Sequence, residues 1–208
     1  MKNFTNNQKK EMKYYFFKIY YLFKYICHRI FTPFYKIGWP VVFCRGAEIN
    51  NARYIQLGGG VYLGKNSLIE IDYFHHLEYG SHKPKIKIGN NVSIGAGTLI
   101  NAVSDIQLED DVIIASNCHI ADNSHRFDKV DTSIRYQGLN KVNPIKIKKG
   151  TWLGWNVVVC PGVTIGKNSV IGANSVVTKD IPDYCVAVGA PAKVIKKYDF
   201  ESGKWLKV

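Results

Sequence analysis

The 208-residue chain is short of acid: 16 Asp and Glu stand against 28 Lys and Arg, a formal charge of +12. Such an excess implies an anionic partner. Nucleic acid is the blunt reading, but no helix-turn-helix, zinc-finger or aromatic-basic RNA signature accompanies the charge, so nucleic acid is not expected. A phosphorylated cofactor, an anionic glycan or a membrane surface absorbs it more naturally. Paired cysteines are also missing. Cys27, Cys44, Cys118, Cys160 and Cys185 are odd in number, widely spaced and contain no CxxC pair. This reads as reduced thiols in a cytoplasmic protein, without a disulfide or zinc framework. No long uncharged apolar run appears, so no transmembrane span is expected. The amino terminus lacks a clean apolar core and a small-residue cleavage site, so no secretory signal is expected. With 46% hydrophobic and 13% aromatic residues, the chain can bury the core of one domain with a modest attachment.

What the chain does have is a period of six. Ile147, Leu153, Val159, Ile165, Ile171 and Val177 are aliphatic residues six apart, with Gly154, Gly166 and Gly172 directly following three of them. Four residues after each comes Thr151, Val157, Val163, Ser169, Ser175 and then Ile181. A helix repeats every 3.6 residues and a strand every 2, so neither gives this pattern. A hexapeptide period marks a parallel β-helix, whose stacked coils bury one column of side chains per face. The same spacing recurs at Leu57, Leu63 and Ile69, again at Ile88, Ile94 and Ile100, and after an eight-residue step at Leu108, Ile114 and Ile120. Cys118 takes the small core place four after Ile114. The expected fold is all-β, a parallel β-helix of about five coils.

Three regions follow. Residues 1–50 form an amino-terminal extension, 51–190 the β-helix and 191–208 a basic tail that finishes as a helix over Val194 to Trp205. Within the extension, Phe16, Ile19, Phe23, Ile26 and Ile30 lie on one stripe of a helix over 12–31. Lys10, Lys13, Lys18, Lys24 and Arg29 fall on its other side, and Pro33 and Pro40 close it. The stripe packs on the coil or a neighbouring subunit, or it makes peripheral contact with the inner face of a membrane. Two stretches break the period, 74–84, with His75, His76 and His82, and the hydrophilic run from Arg126 to Pro144. A break in a stacked coil is extruded as a loop, and long loops usually carry function.

One ionisable cluster coincides with such a break: Ile120-Ala-Asp122-Asn123-Ser124-His125. A neutral His at the root of a loop can act as general base, because its ordinary pKa lies near neutrality. A corner His that only bonds backbone is the alternative. His119, six residues earlier, reads as structural.

The run from Trp152 to Pro182, with Val188-Gly-Ala-Pro-Ala-Lys-Val-Ile-Lys after it, resembles the hexapeptide-repeat acyltransferases. The similarity is to the branch holding galactoside and maltose O-acetyltransferases and the O-acetyltransferases of bacterial surface polysaccharides. It is tight over 147–196, recognisable from Ile88 and absent from about the first 50 residues. The resemblance implies a left-handed coil, although most parallel crossovers are right-handed, and a homotrimer with acetyl-coenzyme A between subunits. His125 then falls on the family's catalytic His. Ala173, Thr178 and Lys179 fall on positions lining the coenzyme arm, and Lys193 and Lys196 on basic positions near its phosphates. Trp152, Gly154 and Trp155 fall in the same groove, Trp155 standing where the family often has a small residue. Asn101 is the candidate for the acetyl-side Asn, and Asp122 or Asp128 for the partner of His125.

The implied activity is acetyl transfer to a sugar hydroxyl in capsule, exopolysaccharide or lipopolysaccharide synthesis, with no metal required. N-acylation of a nucleotide amino sugar is the near alternative. A γ-type carbonic anhydrase, binding zinc through His119, His125 and one of His75, His76 or His82, is more remote. So is a non-catalytic β-helix trimer. The expected location is the cytoplasm.

Overall fold

The computed structural model describes residues 34–72, 85–140 and 142–208, together with Thr32 and six positions between 19 and 27. Its strands form three parallel faces. The first face stacks β1 (Lys36–Ile37), β4 (Ile55–Leu57), β7 (Ile86–Ile88), β10 (Ile106–Leu108), β13 (Ile145–Ile147) and β16 (Thr164–Ile165). The second stacks β2 (Val41–Phe43), β5 (Val61–Leu63), β8 (Ser93–Ile94), β11 (Ile113–Ile114), β14 (Trp152–Leu153) and β17 (Val170–Ile171). The third stacks β3 (Glu48–Asn50), β6 (Leu68–Ile71), β9 (Leu99–Ala102), β12 (His119–Ala121), β15 (Val158–Val159) and β18 (Val176–Val177). Each face contributes one buried apolar column, aliphatic but for Phe43: Leu57–Ile88–Leu108–Ile147–Ile165, Phe43–Leu63–Ile94–Ile114–Leu153–Ile171, and Ile69–Ile100–Ile120–Val159–Val177. These are the hexad residues, so the period of six is one face plus one corner.

Corners need a left-handed backbone residue. Three positions after the aliphatic, Asn66, Asn91, Asn117, Asn156, Asn168 and Asn174 hold φ between 49° and 59°, a region Asn tolerates better than most residues. Where glycine takes the place, stacking leaves no alternative: a Cβ on Gly150 (φ 70°) would run into the Asn168 side chain of the next coil.

Four expectations change. The coil has six turns, not about five, and begins at Lys36, not at residue 51. Ile37, Phe43 and Ile49 are themselves six apart and ladder onto Leu57, Leu63 and Ile69. Pro40 lies between two short strands there and closes no helix. The tail is not helical either: β19 (Cys185–Gly189) extends the second face, and β20 (Ala192–Asp199) and β21 (Lys204–Lys207) add to it antiparallel. The last coil leaves an open sheet edge, which the tail pairs. The helix expected over 12–31 falls largely outside the described residues. Ile19, Tyr20, Leu22, Phe23, Ile26 and Cys27 are helical, and no described helix is long and apolar enough to cross a membrane.

The outward sides of the faces differ. Lys36, Gln56, Lys87, Gln107 and Lys146 form one outward column on the first face, and Lys87 and Lys146 pair with Asp105 and Glu109. On the second, Tyr62, Ile113 and Trp152 stand exposed, the last two by 52% and 50%. The third presents Leu68, Leu99, Val158 and Val176, each half-buried.

Candidate functional site

Both breaks in the period leave the same edge, where the third face turns into the first. One joins β6 to β7 and falls mostly outside the described residues, as do His75, His76 and His82. The other joins β12 to β13. It closes on itself: the Asn140 N–H donates to the Ser124 carbonyl (2.7 Å), the Arg126 N–H to the Gly138 carbonyl (3.0 Å), and His125 bridges Leu139. The strand pairing stands His125 exposed at the root of the loop. Inside the loop, the Gln137 side-chain amide donates to the Lys129 and Thr132 carbonyls and accepts from the Lys129 N–H, shaping it without a core.

Asp122 is neither solvated nor the partner of His125. It is fully buried. Its carboxylate accepts from the backbone N–H groups of Val103 (2.9 Å), Ser104 (2.7 Å) and Asp105 (3.0 Å) and from the Asn123 amide (3.1 Å). A buried carboxylate is tolerated when its lone pairs are filled in this way. Residues 103–105 lie in the corner that the eight-residue step lengthens by two residues, so Asp122 organises the corner that the lost period left irregular. Asp128 pairs with Arg126 instead, and the guanidinium holds its carboxyl below the usual range. Asn101 lies outward on β9, between inward Ile100 and Ala102. Its amide donates to Glu70 Oε1 (2.9 Å), and its oxygen accepts from the Asn123 amide (3.0 Å). Sequence reasoning missed Glu70 and Asn123, whose partners lie 31 and 22 residues away.

The candidate coenzyme residues divide between two places. Trp152, Gly154, Trp155 and Ala173 stack at the edge between the second and third faces. A Cβ on Gly154 would meet the Ala173 backbone, and the Asn174 N–H donates to the Trp155 carbonyl (2.9 Å). Lys196 stands opposite Val186, which continues the Trp152–Val170 row, and Lys193 stands opposite Val188. Thr178 and Lys179 follow β18 at the far side of the third face, both exposed. In one chain, therefore, His125 and the Trp152–Ala173 stack occupy different edges of the prism. His119 points outward on β12, exposed. Among the described residues no group of three His, Cys, Asp or Glu could hold a metal. Cys118 is buried, and its thiol donates to the Gly154 carbonyl (3.2 Å).

Known proteins agree with this architecture. The bacterial transferase hexapeptide repeat (six repeats) matches residues 144–179. A Mycobacterium tuberculosis protein named "Probable acetyltransferase Rv3034c" is 35% identical over 185 residues, 82% of this chain. The chain spans 60% of that relative's length. Among solved structures, AntD, an N-acyltransferase from Bacillus cereus in complex with dTDP and coenzyme A, is similar with a TM-score of 0.67, 22% identity, and coverage of 81% of this chain and 87% of that one. A hexapeptide-repeat acetyltransferase from Vibrio cholerae in complex with acetyl-coenzyme A has a TM-score of 0.53 and 23% identity, covering 74% of this chain and 72% of that one. These likenesses make the coil the left-handed parallel β-helix of that fold.

Proposed function

We propose that this chain is a hexapeptide-repeat acyltransferase, a reading its repeat and its coil support, and that it transfers the acetyl group of acetyl-coenzyme A to a sugar hydroxyl in the assembly of a capsule, exopolysaccharide or lipopolysaccharide. The observation that carries the reading is His125: an exposed imidazole at the root of an extruded loop, three residues beyond a corner fixed by a buried carboxylate. The acceptor hydroxyl gives its proton to His125 as its oxygen attacks the thioester carbonyl. The tetrahedral intermediate then expels the coenzyme thiolate, which takes the proton back from the imidazole. No acyl-enzyme forms.

Trp152, Gly154, Trp155 and Ala173 line the pantetheine side in this reading, with Thr178 and Lys179 along the arm and Lys193 and Lys196 near the phosphates. The separation of the Trp152–Ala173 stack from His125 within one chain supports a homotrimer, in which the base of one subunit meets that stack on the next. The exposed Tyr62, Ile113 and Trp152 supply apolar surface for such a contact, while the lysine column of the first face suits solvent. Exposed Ile19, Phe23 and Ile26 in the amino-terminal segment support peripheral membrane contact at the cytoplasmic face. Domain limits follow the coil: an amino-terminal segment before Phe34, the coil to about Gly189, and a closing hairpin.

His125→Ala tests the reading. It is expected to keep the assembly state and to lower acetyl transfer by about 10²–10⁴-fold, measured as free-thiol release with a panel of hydroxyl and amine sugars. Near-normal turnover of the variant removes His125 as the base. A product that carries the acetyl group on nitrogen, read by NMR, moves the reading to N-acylation.

A further inference from the structure

We infer that Glu70 marks an acceptor subsite and that the acceptor sugar bound there carries a free, protonated amine. The inference rests on the acyl-transfer reading and adds what that reading leaves open, the chemistry of the acceptor. Glu70 lies outward on β6, between inward Ile69 and Ile71, at the strand end from which the first break leaves. It ladders onto Asn101, which ladders onto Ala121, four residues before His125. Two ladder spacings, roughly 10 Å, separate the Glu70 and Ala121 rows.

The polar atoms along this edge form one continuous chain. Glu70 Oε1 accepts from Asn101 Nδ2, Asn101 Oδ1 accepts from Asn123 Nδ2, and Asn123 Nδ2 also reaches Asp122. These bonds fix both amides in orientation. Among the described residues, Glu70 Oε2 and Asn123 Oδ1 keep no hydrogen-bond partner, and the one donor left over is the second N–H of Asn101, so acceptor atoms predominate in what the row presents outward. The row therefore calls for a ligand that donates.

Charge sharpens the requirement. In a chain of +12, the strands of the third face contain no Lys or Arg, whereas the first face carries Lys36, Lys87 and Lys146. The only charged residues on those third-face strands with fixed sign are Glu48 and Glu70, on neighbouring coils. A half-buried carboxylate with one oxygen held and the other free is best completed by a cationic donor. Lys193 and Lys196 lie beyond the last coil, so the surface offers cations to an anionic coenzyme and anions to a cationic acceptor.

The amine on Glu70 is not the acylated atom. An ammonium has no lone pair, so the nucleophile is a hydroxyl of the same acceptor that reaches His125. This keeps O-acetylation and makes the acceptor an amino sugar.

Calorimetric titration near pH 6, where the amine of an amino sugar is protonated, separates the outcomes. Glucosamine and glucose are the probes, each titrated into the coenzyme A-saturated protein. The wild type is expected to bind glucosamine at least about tenfold more tightly than glucose, and Glu70→Gln to bind the two equally, since a single well-placed charge pair is worth roughly that factor. Equal or undetectable binding of the two sugars by the wild type overturns the inference, as does a preference that survives in Glu70→Gln. Coenzyme A titrated into both proteins checks the fold of the variant. A loss of coenzyme binding in both speaks against the acyl-transfer reading, whereas normal coenzyme binding without amine preference speaks against the subsite alone.

Discussion

Three residues apart, Asp122 and His125 show how differently neighbouring polar side chains can be used. Asp122 is sealed and satisfied, and His125 is exposed where a loop leaves the coil. Asp122→Ala is expected to strand three backbone N–H groups at the 103–105 corner and to cost about 3 kcal/mol or more, read from the urea midpoint at unchanged slope. A cost below about 1 kcal/mol means that water or a rearranged corner replaces the carboxylate. The hexad aliphatics and the place of His125 at the root of a loop were legible because both are local signals. The role of Asp122 was not, because its partners are main-chain donors 17 to 19 residues earlier. A backbone N–H leaves no mark in a sequence. Glu70 and Asn123 escaped for the same reason of distance: they meet Asn101 only once coils stack.

At the scale of elements, coils were read correctly where aliphatic residues fill every sixth place and missed where Phe43 takes one of those places. Ile37, Phe43 and Ile49 keep the spacing, but Pro40 and the neighbouring aromatics hid it. The tail misled in the opposite direction. Its lysines suggested a basic helix, yet the open sheet edge above β17 takes the chain as strand. Tyr198 then packs edge-on to Phe200 and Trp205, with ring centroids 5.0 and 5.4 Å apart. Asp183 fastens this end of the coil, accepting from the Lys167 N–H (2.9 Å) and from Lys148 Nζ (3.0 Å). The Lys167 N–H first, and Lys148 with it, hold the Asp183 carboxyl below its ordinary 3.8. A folded pKa below the unfolded one gives stability that is complete above about pH 4 and is lost as pH falls through the lowered value. Asp183→Asn is therefore expected to destabilise at neutral pH and to flatten the acid limb of stability against pH. An acid limb as steep as the wild type's assigns that limb to other carboxylates.

For the whole molecule, the net charge proves to be an arrangement of unlike surfaces. Lysines run up the first face and crown the tail, apolar side chains cover the second, and the third carries the acceptor row. The basic hairpin β20–β21 follows the sixth coil and caps that end of the stack. Period and family resemblance made the coil legible; which edge carries which chemistry depended on how many residues each corner consumes. The account assigns the pantetheine stack of Trp152, Gly154, Trp155 and Ala173 to one edge and proton transfer to another. Calorimetric titration of acetyl-coenzyme A into the wild type and His125→Ala tests that division most directly. The account predicts one molecule bound per chain by both proteins, with dissociation constants within about threefold, less than 1 kcal/mol apart. The absence of binding to the wild type, or its loss on removing the His125 imidazole, would contradict it.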